Sequence, residues 1–165
     1  MNDQKSQLVE KAKQTINKII YLGLSTVDEK MQPLSTPVYA APMERYNFYW
    51  LSTVDSHHSN NIRFNPKTSA VVYDSTVPHG QGFGVYFNGI SCELAECNSY
   101  EIKFALKLLS ERINVTPHSV DQYLPPFRRR VYRFLPLEAW VNICDQVDGQ
   151  TIDKRLYITD DLLSR

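Results

Sequence analysis

Residues Tyr21 to Val54 read YLGLSTVDEKMQPLSTPVYAAPMERYNFYWLSTV, and this stretch decides the fold. Runs of β-branched and aromatic residues, YLGLSTV, PLSTPVYAAP and YNFYWLST, are parted by short polar turns, the first of them DEKM. That texture predicts consecutive antiparallel strands rather than strands alternating with long helices. Pro33 and Pro37 have no N–H for a ladder, so the second strand is expected at an edge or bulged where they stand. Such an edge exposes backbone N–H groups to a ligand.

Working outward, Leu8, Ala12, Ile16, Ile19 and Ile20 recur at steps of three and four and predict an opening helix over 6–20. After the strands, Asp55 or Ser56 can cap a short helix through HHSNNIRF that stops before Pro66. SAVVYD and FGVYFNGISCELAE predict two further strands, and Asn98 is placed to cap a helix with Ile102, Leu106, Leu109 and Ile113 on its core face. Residues 115–126, with Pro117, Pro125 and Pro126, read as a loop. RRVYRFLPLEAWVNIC then predicts a long strand kinked at Pro136, and DKRLYI a final short one. The expectation is a mainly β fold with about seven antiparallel strands in barrel packing, against two or three helices.

The chain has 165 residues, enough for one domain with its own core. Eighteen basic residues balance eighteen acidic ones, which excludes a general nucleic-acid binder and disfavours a membrane-surface role. No run is long and apolar enough for a membrane helix, and MNDQKSQLVEKAKQ lacks a signal-peptide core, so a cytoplasmic location is expected. Cys92, Cys97 and Cys144 are expected to be reduced packing residues, since an odd number without a signal is no disulfide framework.

Ser52-Thr53-Val54-Asp55-Ser56-His57-His58-Ser59-Asn60-Asn61-Ile62 is the most informative segment. It leaves a strand with hydroxyls and enters a helix whose N-terminus suits an anion such as phosphate, although the same residues also serve as plain capping and solvated histidines. His57 and His58 are adjacent and cannot share one metal in the i, i+4 manner, and His79 and His118 are isolated, so no metal site is expected. Gly80, Gly82 and Gly84 precede a strand rather than a helix and read as a hairpin loop, not a dinucleotide fingerprint. Arg128, Arg129, Arg130 and Arg133 form the one dense basic run, either paired with acids such as Glu138 or free to hold an anionic group.

In order and spacing, these elements from Leu22 to Ile158 resemble the pyridoxamine 5'-phosphate oxidase-like FMN-binding split-barrel family. The motifs are Leu24-Ser25-Thr26-Val27, Gln32-Pro33 into Leu34-Ser35-Thr36-Pro37-Val38, the strand Tyr49 to Thr53, Ser56 to Ile62 with Asn65-Pro66, and the strand closing on Asn88-Gly89. The resemblance implies one split-barrel domain over 1–165 with a helical extension over about 1–20: a six- to seven-stranded antiparallel split β-barrel flanked by two to three α-helices. It implies a homodimer with FMN in clefts between the subunits, to which the charge balance and the lack of a signal or span add a cytoplasmic location with no nucleic-acid or membrane partner. Thr36, Pro37, Val38 and Tyr39 would lie along the flavin, with Leu51 and Ser52 touching it. His57 and His58 stand where the family has a basic pair that grips the phosphate, with Asn61 in the same segment. Trp140, in Pro136-Leu137-Glu138-Ala139-Trp140, would cover the flavin edge, and Arg155 would approach the ring or a substrate.

Two departures from the family pattern bear on activity. Tyr157 stands where the true oxidases carry a substrate-binding histidine, and their Ser-Arg-Pro stretch is missing between Leu109 and Phe127. The expectation is therefore an FMN-dependent oxidoreductase of unassigned small-molecule substrate, with NAD(P)H as a candidate donor, and not an authentic pyridoxamine phosphate oxidase. The alternatives are a non-catalytic flavin-binding or stress-related protein, and a haem-binding or haem-degrading relative using His57, His58, His79 or His118.

Overall fold

The computed structural model describes residues 2–163. Helix α1 (Asn2–Lys18) leads into β1 (Tyr21–Val27), β2 (Pro33–Pro42) and β3 (Phe48–Thr53). Then follow α2 (His57–Phe64), β4 (Lys67–Tyr73), β5 (Gly84–Glu93), α3 (Ser99–Arg112), β6 (Arg129–Val147), β7 (Gln150–Tyr157) and α4 (Thr159–Leu163). All seven strands pair antiparallel in the order β3-β2-β1-β4-β5-β6-β7, and a further pairing of β3 with β6 closes six of them into a barrel. This is a split β-barrel, mainly β with helices packed around it.

Closure depends on the length of β6. Its residues 129–134 pair with β3, residues 132–141 with β5, and residues 140–147 with β7. The kink expected at Pro136 takes the form of a bulge: Asn88 faces Glu138 while Gly89 faces Pro136, so Leu137 is the extra residue. A Cβ on Gly89 would lie 2.2 Å from the Leu135 carbonyl oxygen, so only glycine fits the partner strand there.

The opening runs are strands because alternate residues have a barrel interior to fill. Leu22, Leu24, Val38, Phe48, Trp50, Val72, Phe87 and Phe134 meet inside, and Val9, Ala12 and Ile16 of α1 plug one end. Tyr49 is as buried as its neighbours on the opposite face, because α3 packs over it with Ile102, Ala105 and Leu106. The continuous apolar reading of YNFYWLST thus reflects a strand covered on both sides.

Several expectations need correction. Strand β2 is an edge only in part: β3 pairs with it at Ala40, Ala41 and Pro42, whereas Pro33 and Pro37 stand, as expected, where β1 is its one neighbour. Asn98 stands at the N-cap of α3 as expected but makes no side-chain capping bond there; its side-chain oxygen accepts the N–H of Ala95 at 3.1 Å. Ile113 ends that helix 52% exposed, because the chain reverses through Asn114 at φ 54° before Ile113 can turn inward. Cys97 and Cys144 are exposed rather than packed, and no cysteine among the described residues is in a disulfide.

Phe87 sits at the centre of the interior, 5.4 Å from the Phe48 ring and 6.4 Å from Phe134. Phe87→Ala should cost about 3–5 kcal/mol of stability in urea unfolding, while Leu137→Ala on the exposed bulge should stay within about 0.5 kcal/mol of the parent.

Candidate functional site

The barrel is split where β2 and β3 part. Beyond Ala40, β2 continues against β1 alone, while β3 beyond Trp50 continues against β6 alone. The Ala40 N–H donates to Ile20 O at 3.0 Å, so even-numbered residues of β2 direct their backbone groups toward β1. Odd-numbered residues therefore direct theirs away from β1: Ala41 meets β3 there, while Pro33, Ser35 and Pro37 face the split, where no strand pairs with them. Pro33 and Pro37 fall on that parity, so the sheet loses no ladder bond to them and the lip keeps only the N–H groups of Ser35 and Tyr39.

Across the split, Ser56 caps α2 by accepting the Ser59 N–H at 3.3 Å. Its hydroxyl also lies 3.0 Å from Ser52 Oγ, 3.2 Å from His58 Nε2 and 2.7 Å from Ser59 Oγ. One hydroxyl has one donor and two acceptor sites, so it serves at most three of these four groups. The rest keep capacity for a ligand.

His57 is exposed at the first position of α2, whereas His58 is turned inward and buried. Burial first, then the neighbouring His57, push the His58 imidazole below its ordinary value. Asn61 is buried and donates to Thr26 Oγ1 at 3.0 Å, which ties α2 to β1.

Charges near α2 are compensated. Glu93 accepts Tyr132 Oη at 3.0 Å and Arg130 Nε at 3.2 Å, with Arg63 at 3.6 Å, and Arg128 pairs with Asp55. Burial, opposed by a Ser59 hydrogen bond and reinforced by Glu93, pushes the Tyr132 hydroxyl up to about 12. Within the arginine run, Arg128 thus pairs with Asp55, Arg130 with Glu93 and Arg133 with Glu101 at 2.9 Å. The expected partner Glu138 instead accepts from Asn88.

The other predicted residues fall into separate groups. Thr36 and Pro37 line a cavity of about 530 Å³ on the outer face of the sheet, with Gly23, Ser25 and Val71. Val38 points into the core. Tyr39 donates to Leu109 O at 2.6 Å and, with Leu51, walls a different cavity beneath α3. Trp140 stacks on Tyr86 at 6.0 Å, and the Arg155 guanidinium lies 4.9 Å from the Trp140 ring.

Register links two of these groups. Pro37, Gly23, Val71, Tyr86, Trp140 and Tyr157 stand opposite one another in one row across the outer face. Four strand spacings separate Trp140 from Pro37, a path of about 19 Å along the curved sheet. The Trp140 indole nitrogen is buried without a hydrogen-bond partner among the described residues. Sequence reasoning missed this row and Gly23 and Tyr86 within it, because cross-strand register is set by pairings distant in the chain.

These features fit a flavin phosphate: hydroxyls at a helix N-cap, an exposed imidazole, and an apolar outer strip. Among the described residues no group of three His, Cys, Asp or Glu could hold a metal, and no helix is long and apolar enough to cross a membrane. No family model matches the chain, and no curated protein matches it in sequence. Solved structures do resemble it. The heme storage protein HutZ from Vibrio cholerae superposes with TM-score 0.62 at 16% identity, over 77% of this chain and 88% of that one. An FAD-binding protein from Mesorhizobium loti gives 0.59 at 19% identity, over 79% and 90%. An F420 reductase gives 0.56 at 18% identity, over 77% and 94%. Identities this low establish the shared fold.

His58 also makes stability depend on pH. Its folded pKa lies below the ordinary 6.5, so in the window just under 6.5 the unfolded chain binds more protons and stability falls as pH falls. Urea midpoints at pH 7.5 and pH 5.5 should drop less for His58→Gln than for the parent; equal drops would remove His58 as the cause.

Proposed function

We propose that this chain is an FMN-binding flavoprotein of the pyridoxamine 5'-phosphate oxidase-like type and an oxidoreductase acting on a small molecule. The observation that carries the reading is the split itself. One lip presents Ser35 to Tyr39, with the outward-facing N–H groups of Ser35 and Tyr39, and the other presents Leu51, Ser52 and the Ser56-His57 cap. His57, with the first N–H groups of α2 and the Ser52 and Ser56 hydroxyls, would hold the phosphate. Ser35 and Tyr39 N–H groups would orient polar edges of the ring, and Pro37 and Gly23 would give it an apolar floor. FMN would supply the redox chemistry, and the chain its position, surroundings and access.

Trp140 on β6 and Arg155 on β7 stand apart from the β2 lip along the curved sheet. We assign them to a homodimer cleft, where one protomer's Trp140 would cover the flavin held by its partner. Tyr157 flanks Trp140 at 6.2 Å and brings no imidazole to this edge, which supports a substrate other than pyridoxamine phosphate.

Titration with FMN, followed by flavin fluorescence, tests the reading. Binding in the micromolar range is expected, and His57→Glu should weaken it at least about tenfold by setting a carboxylate against the phosphate. Undiminished binding in His57→Glu would overturn the site. Bleaching of the bound flavin by NADH or NADPH without oxygen would mark an enzyme. A Soret band on adding hemin with no flavin uptake would instead favour haem, the ligand named for HutZ.

A further inference from the structure

Helix α3 ends in a reversal that builds a second compartment. The Val115 N–H reaches back to Ser110 O at 3.0 Å and the Asn114 N–H to Glu111 O at 3.3 Å, with Asn114 in the left-handed region. This turn carries residues 115–118 back along the last turn of α3 and walls a cavity of about 270 Å³. Its floor is apolar and buried, with Leu106, Leu109 and Tyr123 each under 5% exposed. Val115, His118 and Arg129 remain exposed and form its mouth, together with Ile113.

Arg129 distinguishes this cavity from a packing defect. Its neighbours Arg128, Arg130 and Arg133 each meet a carboxylate, Asp55, Glu93 and Glu101 respectively. Arg129 meets none among the described residues, and a guanidinium beside an apolar chamber is matched by a carboxylate on an apolar body. His118, with its ring 6.3 Å from that of Tyr123, adds an imidazole at the same mouth. An engineered dry cavity of about 150 Å³ holds benzene. About 270 Å³ therefore holds one or two fused rings with a carboxylate, and is too small for a whole flavin nucleotide.

We propose that this cavity binds a small aromatic carboxylate, with its ring against Leu106, Leu109 and Tyr123 and its carboxylate on Arg129. The proposal does not rest on flavin binding. The test is calorimetric titration of the full chain with 2-naphthoate, with and without FMN. A Kd tighter than about 1 mM is expected. Arg129→Gln should weaken it about tenfold, and neutral 2-naphthylmethanol should bind the parent correspondingly worse. Lys107→Gln, the same change of charge on the exposed face of α3, should leave it unaltered. Absence of binding, or equal loss in Arg129→Gln and Lys107→Gln, would overturn the proposal. Displacement of 2-naphthoate by FMN would overturn it too, by placing the acid in the flavin's own cleft. Failure of FMN to bind would count against the flavin reading and leave the naphthoate result standing.

Discussion

Strand β6 holds two neighbours on one length of backbone, and the remaining architecture follows from that pairing. Residues 129–134 must meet β3 while the overlapping residues 132–141 meet β5, so the sheet curls until its first strand returns to its sixth. Curvature of this kind strains a regular ladder, and the extra Leu137 opposite Gly89 relieves it. Because β3 is drawn toward β6, it leaves β2 after three paired residues. Closure on one side and the split on the other are the same geometric event.

The N-terminal helix is tied into this frame from outside. Arg112 of α3 donates to Ala40 O at 2.8 Å, to Asn17 O at 2.9 Å and to Ile19 O at 3.1 Å. One side chain thereby satisfies carbonyls at the end of α1 and on β2 and joins the two apolar clusters. Desolvation pulls the Arg112 guanidinium below its ordinary range, opposed by Tyr39 nearby.

What the sequence made legible was local. The strand texture of residues 21–54, the Ser56 cap, the stop before Pro66 and the disturbance at Pro136 each depend on a few adjacent residues, and each appears in the structure. What it hid was long-range. Asn98 has the chemistry of a cap, but a tight 3₁₀ turn over 96–98 competes for its side chain. Ile113 keeps the helical step yet is exposed, since periodicity does not announce where a helix ends. The acids that neutralise the arginine run come from the β3–α2 turn, from β5 and from α3, and only closure of the barrel brings them near. The candidate site shares that divide: its helix cap could be read directly, while the row from Pro37 to Tyr157 exists only through register.

The two prolines on the open lip also act on crowding between molecules. An unpaired strand edge ordinarily invites a strand from another chain, and every second N–H along this lip is the docking point such a strand requires. Pro33 and Pro37 remove those donors at two of the four outward positions, leaving gaps in any intermolecular ladder. A small molecule that needs only one or two contacts is not impeded. The lip thus discriminates by the length of what approaches it, remaining open to a compact ligand while resisting the fibril-forming growth that a fully furnished edge would support.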